Sequence, residues 1–191
     1  MSSATLHEQL SGMISGYCTS QAIYAAAHLG IADLLADGPK TADELASQTS
    51  SDSEALYRLL RALASIGIFA EEADRRFELT PMAELLQTDH DNTLRPVALM
   101  MGDDHYLVWG SLVESVRTGT TVYEKVMGAP IFQHMSHHPE KAQIFDEAMM
   151  ALNRRKTSAI LEAYDFAGID VIADVGGGNG SNLIAVLTKH P

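Results

Sequence analysis

The chain has 191 residues, 46% of them apolar and 20% charged, with a formal net charge of −12. This composition suits one medium domain or two small ones with a real core, and it excludes intrinsic disorder. Residues 1–90 carry net −8 and residues 91–191 net −4, so neither half presents the positive field that a phosphate backbone attracts, and general nucleic-acid binding is disfavoured.

In chain order, the pattern predicts a short helix over 5–16 and a stronger one over 18–36. The second carries an apolar stripe of Ile23, Ala26, Ala27, Gly30 and Leu34. Its run of alanines lets another helix approach closely, and Gly38-Pro39 stops it. Cys18, the only cysteine, reads as a small buried hydrophobe on this helix; no internal disulfide can form, which suits a reducing compartment. Thr41 followed by Glu44 is a capping box that opens a helix of two turns. Ser51 or Asp52 then caps a third helix with the stripe Leu56, Leu59, Leu60, Leu63 and Ile66, ended by Gly67. Ile68–Ala70 and Arg76–Leu79 are short strand candidates around the charged turn 71–75, and Thr80-Pro81 opens a further helix through Leu86.

Three helices followed by a small hairpin make a winged-helix pattern. In a DNA reader, the third helix and the wing would be basic. Here Arg58 and Arg61 stand beside Asp52 and Glu54, and Arg75 and Arg76 face Glu71, Glu72 and Asp74. A packing or dimer-forming role fits that charge balance better than DNA reading.

Residues 91–165 read as entirely helical: an apolar, methionine-rich stretch over 94–101, a helix over 106–116, a short one over 130–135, and a long one from Pro139 to about Tyr164. Residues 169–175 form an apolar run broken only by Asp170 and Asp174, predicted as a strand, and a helix follows from Gly180 to about His190. No stretch approaches the ~20 apolar residues of a membrane span. The N-terminus lacks the basic start and apolar core of a secretion signal, so the expectation is a soluble, cytoplasmic protein.

The strand leads into Asp174-Val175-Gly176-Gly177-Gly178-Asn179-Gly180. A dinucleotide fingerprint needs its third glycine at 181, where Ser181 stands, and no Gly-Lys-Ser/Thr ending marks a triphosphate loop. The glycines permit positive φ and close approach of a ligand to the backbone. Asp174, at the strand end, offers a carboxylate to an ammonium group. A ligand that is both amino acid and nucleoside fits, and S-adenosylmethionine is one. The alternative is a plain glycine turn. His134, His137 and His138 could share a helix face. No cysteine stands nearby and Pro139 starts a new helix, so they read as loop and cap histidines and no metal site is expected. No G-x-S-x-G elbow supports serine hydrolysis.

The ordered segments LGIADLLADGPKTADELA, LYRLLRALASIGIFAE, RFELTPMAELL, LVWGSLVESVRTG, HHPEKAQIFDEAMM and DVGGGNG resemble the winged-helix-containing, S-adenosylmethionine-dependent small-molecule O-methyltransferases of the caffeate, polyketide and phenazine type. The resemblance runs through essentially the whole chain. It implies a mainly α architecture: a winged-helix dimerisation module over 1–90, a helical connecting and acceptor-pocket segment over 91–165, and over 166–191 the first strand, loop and helix of an incomplete Rossmann-like α/β domain. It implies a homodimer through the N-terminal helices and S-adenosylmethionine as cofactor, against Asp174, Gly176, Gly178 and Gly180. Phe145 and Met149, four residues apart on one helical face, resemble the apolar pair beside cofactor and acceptor; core packing is the competing reading. Met100, His105 and Trp109 resemble acceptor-pocket walls.

The family's ribose-binding acid, adenine contacts and general-base histidine all come later than residue 191, so no catalytic residue is assigned. The expectation is O-methyl transfer to a small, aromatic hydroxyl compound only in a longer, complete chain. Residues 1–191 alone would bind cofactor weakly or not at all. Their last segment, a lone parallel strand, would be disordered, swapped or aggregation-prone. Two alternatives stay open: an inactive dimerising fragment or partner, and a winged-helix regulator.

Overall fold

The computed structural model describes residues 3–190, less the side chains of residues 3, 4 and 155. Residues 1, 2 and 191, which the expected module boundaries include, lie outside the described residues.

The first element is one helix, α1 (Ser3–His28), where two were expected. Gly12 and Gly16 do not break it: a glycine inside a helix costs only about 1 kcal/mol, and the C-terminal half of α1 packs closely against a later helix. The break comes earlier than Gly38-Pro39, at Gly30, whose φ of 67° is left-handed. A single turn, α2 (Ile31–Leu34), follows and sends Ile31 and Leu35 into the core.

Lys40–Thr41 forms a two-residue strand, β1. Thr41 caps α3 (Ala42–Thr49) through the predicted box: its hydroxyl accepts from the Glu44 N–H at 3.2 Å while the Glu44 carboxylate accepts from the Thr41 N–H at 2.7 Å. Asp52, of the two candidates, caps α4 (Ser53–Ser65) by accepting from the Ala55 N–H at 2.8 Å. Of the α4 stripe, Leu56, Leu60 and Leu63 are buried, whereas Ile66 lies past the helix end and is 48% exposed.

β2 (Phe69–Glu71) and β3 (Arg76–Leu79) pair antiparallel around a 3₁₀ turn at Ala73–Arg75, and β1 joins the other side of β3 to give the order β1-β3-β2. The register sets Phe69 opposite Leu79 and Lys40 opposite Phe77. Phe69 and Phe77 close the core built with Ile31, Leu35, Leu45, Leu60 and Leu63. β1 was not expected, because two residues ahead of a capping box leave no period-2 pattern to read. Thr80 ends the sheet: its hydroxyl donates to the Ile68 carbonyl at 2.7 Å and accepts from the Ala83 N–H at 3.2 Å, capping α5 (Pro81–Glu84).

The wing is pinned to α4 by its own charges. Arg75 donates to Glu54 at 2.7 Å and its guanidinium lies 4.1 Å from the Tyr57 ring centre, while the Tyr57 hydroxyl donates to Glu71 at 2.9 Å. The cation that a DNA-reading wing would extend to phosphate is spent inside the module.

Six helices follow: α6 (Arg95–Gly102), α7 (Asp104–Trp109), α8 (Leu112–Thr118), α9 (Tyr123–Met127), α10 (Ile131–His137) and α11 (Pro139–Ala163). The helix expected over 106–116 is split at Gly110 into α7 and α8, and α9 was not foreseen. α6 is the hub, packed against both α1 and α11. At its end Gly102 meets the Tyr24 ring, and its carbonyl accepts from Gln21 Nε2 at 3.0 Å.

The strand expected over 169–175 has no ladder partner among the described residues. Val171 and Val175 are 84% and 95% exposed. A lone strand can exchange its N–H and C=O groups with nothing, so pattern without a neighbour makes no sheet. α12 (Ser181–Lys189) follows the glycine loop as predicted and rests on α11. No helix of the described residues is long and apolar enough to cross a membrane.

Candidate functional site

Where α6 ends, the chain turns at Asp103 into α7, and this corner faces α9, α10 and α11 across a pocket. Leu99, Met100, Met135, Ile144 and Phe145 give it an apolar wall, and Asp103, Asp104, His105, Tyr123 and Lys141 a polar edge. Three residues singled out from sequence, Met100, His105 and Phe145, therefore meet in one pocket although up to 45 positions separate them. Met149, one turn beyond Phe145 on α11, is half-buried and outside this lining. Trp109, at the end of α7, is 64% exposed and also outside it.

The polar edge is a network that sequence reading did not find. Asp104 accepts from His134 Nε2 at 2.9 Å with one carboxylate oxygen and from the Lys141 ammonium with the other. Lys141 also reaches Asp103 at 3.1 Å. His134 is 8% exposed, not a loop or cap histidine; His138 stacks on it at 4.3 Å between ring centres and its Nδ1 lies 2.8 Å from the His134 carbonyl oxygen. Buried polar groups need such partners, and these bonds tie α7, α10 and α11 together. Burial works against the charge on Lys141, but its hydrogen bonds to Asp104 and Asp103 outweigh that and raise its pKa. Burial raises the Tyr123 phenol, with Asp104 adding to the rise and Lys141 offsetting part of it. The Tyr24 phenol rises in the same way, through burial and then Asp103. The signal available in the sequence was the spacing of Lys141 from the Asp103-Asp104 pair, which only the folding of α11 against α7 makes meaningful. Among the described residues, no three His, Cys, Asp or Glu side chains gather as a metal site.

The glycine loop lies elsewhere, between the ends of α11 and α12. Asp174 lines a second hollow with Ile160 and Leu161 of α11, Phe166, Ile172, and Leu183 and Val186 of α12. Thr157 donates to Asn182 at 2.6 Å across it, and Lys189 donates to the Leu161 carbonyl. Gly176, Gly178 and Gly180 have φ of 73°, 57° and 75°, the left-handed region where a side chain is strained. Gly177, which the spacing argument passed over, lies against the Asp174 carboxylate: a Cβ there would overlap it, and the acid would have to swing aside. The loop thus holds its acid against bare backbone, in a cradle that any side chain at 177 would fill. That arrangement, a carboxylate beside glycine backbone, fits a ligand carrying an ammonium.

The O-methyltransferase dimerisation domain matches residues 11–89, and the O-methyltransferase domain matches residues 109–191. The chain is 40% identical over 179 residues to phenazine O-methyltransferase PhzM of Lysobacter antibioticus, covering 94% of this chain and 52% of that protein. It is 38% identical over 172 residues to 8-amino-8-demethylriboflavin N,N-dimethyltransferase of Streptomyces davaonensis, covering 88% and 50%. The crystal structure of LaPhzM superposes with a TM-score of 0.94 at 40% identity over 97% of this chain and 56% of that one. The S-adenosylhomocysteine-bound form of CalO1, a methyltransferase of calicheamicin biosynthesis, superposes with a TM-score of 0.79 at 31% identity over 100% and 57%. The chain spans about half the length of the curated relatives it matches. With a winged-helix module, a helical roof over a pocket and a DVGGGNG loop in that order, the chain belongs to the O-methyltransferase family, of which it carries the dimerisation domain and a stretch of the methyltransferase domain.

Proposed function

We propose that the protein carrying this chain is an S-adenosylmethionine-dependent O-methyltransferase acting on a small aromatic hydroxyl compound. The observation that carries the reading is the loop at 174–180, with three glycines in the left-handed region and a fourth whose missing Cβ leaves room for Asp174. Residues 1–90 serve dimerisation, 91–165 roof the acceptor, and 166–191 begin the cofactor site. When bound, S-adenosylmethionine supplies an electrophilic sulfonium methyl group. Asp174 holds its ammonium, and Gly176, Gly178 and Gly180 let its backbone approach. Met100, His105 and Phe145 clasp a flat acceptor, with Trp109 and Met149 on the adjoining turns. Fixing an acceptor oxygen in line with a methyl group makes the encounter effectively unimolecular, which is the main contribution this half of the machinery offers. No residue of this chain is assigned as the base.

The partner in this reading is a second copy. Leu6, Leu10, Met13, Ile14 and Tyr17 leave α1 with an apolar side 53–77% exposed. Beside its later turns an apolar hollow opens between Ile23, Met82, Leu86, Val97 and Met101. Faces of this kind are costly to leave in water. A cytoplasmic location accompanies the proposal; Cys18, expected in the core, is exposed on α1.

Calorimetry of S-adenosylmethionine with the protein carrying this chain, beside its Gly177→Ala form, tests the reading. Binding by the first and its loss in the second support it. Equal binding by both forms, or no binding by either, overturns it.

A further inference from the structure

We propose that Asn179, in the glycine loop, is a site of spontaneous conversion to aspartate and isoaspartate, and that the folded loop holds the reaction back. The inference rests on the loop's own bonds, whichever ligand the loop takes.

Of the chain's four asparagines, Asn92, Asn153, Asn179 and Asn182, only Asn179 is followed by glycine. A side chain at the next position shields that residue's backbone nitrogen. A glycine leaves it open and lets the backbone turn toward the asparagine side chain. Once its proton passes to water, the Gly180 nitrogen can attack Asn179 Cγ. The Gly180 N–Cγ bond forms, the Cγ–Nδ2 bond breaks, and Nδ2 leaves as ammonia with a proton from water. Water then opens the five-membered imide at one carbonyl or the other, giving aspartate or isoaspartate at position 179. The balance needs water alone, and Asn179 is exposed to it.

The fold occupies both reacting groups. The Gly180 N–H donates to the Gly177 carbonyl at 2.9 Å, and Asn179 Oδ1 accepts from the Ser181 N–H at 3.2 Å. The first bond keeps the proton on the nucleophile. The second fixes the carboxamide on the first turn of α12. That helix is itself anchored to α11, where Thr157 donates to Asn182 at 2.6 Å and the Leu161 carbonyl accepts from Lys189. Attack requires both loop bonds to open, so the rate follows how often the loop lets go. The products change the loop. Isoaspartate adds a methylene to the backbone inside the turn that Gly180 closes on Gly177, and either product adds a carboxylate. Gly177 lies against Asp174, so the change reaches the acid that the loop holds.

The protein carrying this chain is incubated at mildly alkaline pH beside a synthetic peptide of residues 174–185, and conversion at each asparagine is followed by peptide mass mapping. Asn179 is expected to convert ahead of the other three. Its rate in the protein should be roughly tenfold or more below that in the peptide, the weight of two net hydrogen bonds. Denaturing urea should bring the protein to the peptide's rate. Thr157→Val keeps the side chain's shape but removes the bond to Asn182, and should speed conversion by up to about fivefold. Asn179→Gln, which closes its larger ring far more slowly, should remove the signal. Conversion in the folded protein at the peptide's rate, earlier conversion at another asparagine, no conversion even in the peptide, or an unchanged rate in Thr157→Val overturns the inference. The comparison of protein with peptide stands even if that variant does not fold.

Discussion

Replacing Gly102 by alanine sets two effects of opposite sign against each other. In an exposed helix the change stabilises, by roughly 0.5–1 kcal/mol, because glycine loses more backbone freedom on folding. Here an ideal Cβ would stand 2.1, 2.3 and 2.4 Å from Tyr24 Cγ, Cβ and Cδ2. Carbon atoms in contact prefer about 3.5–4.0 Å, so roughly 1.5 Å must be found. Rotating the ring does not find it, because the Tyr24 Cβ is itself one of the overlapped atoms and moves only with the α1 backbone. α6 cannot simply retreat, since it packs against α11 on another side. Separating α1 and α6 also stretches the 3.0 Å bond from Gln21 to the Gly102 carbonyl, worth about 1 kcal/mol. Overpacking costs about 1–3 kcal/mol, so Gly102→Ala is expected to destabilise by about 1–3 kcal/mol net. Urea denaturation reads this directly as a fall in the midpoint at unchanged slope. In a Tyr24→Ala background the same change should cost markedly less, a coupling on the order of 1 kcal/mol or more. A midpoint that stays or rises in Gly102→Ala would refute the claim that this glycine is present for helix contact.

The remaining expectations test other links. Leu60→Ala removes a side chain with 0% exposure from the centre of the winged module and should cost about 2–5 kcal/mol by denaturation. Thr41→Ala breaks the capping box of α3 and should cost about 1 kcal/mol. Lys141, Tyr24 and Tyr123 all have raised pKa values in the folded state. Each therefore contributes stability that is complete below its ordinary pKa and is lost as pH rises through the raised one. The urea midpoint should hold between pH 7 and 9 and fall above about pH 10, less steeply in Lys141→Met; a midpoint flat to pH 11.5 would contradict the network. Leu10→Lys with Ile14→Lys should turn a dimer into a monomer in sedimentation velocity while leaving the helical circular dichroism unchanged.

Much of the fold was legible because local chemistry dictates it. The capping box at Thr41 and Glu44, a cap at one of the two positions ahead of α4, the α4 stripe apart from Ile66, Gly67 and Thr80-Pro81 each act within about four residues, and these stand where the sequence placed them. α1 runs unbroken through Gly12 and Gly16 because an interior glycine costs only about 1 kcal/mol, too little to end a 26-residue helix. The apolar run 169–175 makes no ladder because a strand is a property of two chains of backbone, not one. For the candidate site, the loop and three pocket residues could be named in advance, but the Asp103–Asp104–His134–Lys141 network could not. Its members are up to 38 positions apart and carry no common motif.

By itself the sequence determined the acidic charge, the winged-helix order and a glycine loop whose spacing favours S-adenosylmethionine over a dinucleotide, all of which follow from residue type and short-range spacing. Only the tertiary structure decided that His134 is buried against Asp104, that Gly102 lies against Tyr24, and that Gly177 leaves space for a carboxylate. These are contacts between elements, and their energies depend on distances that no local pattern sets.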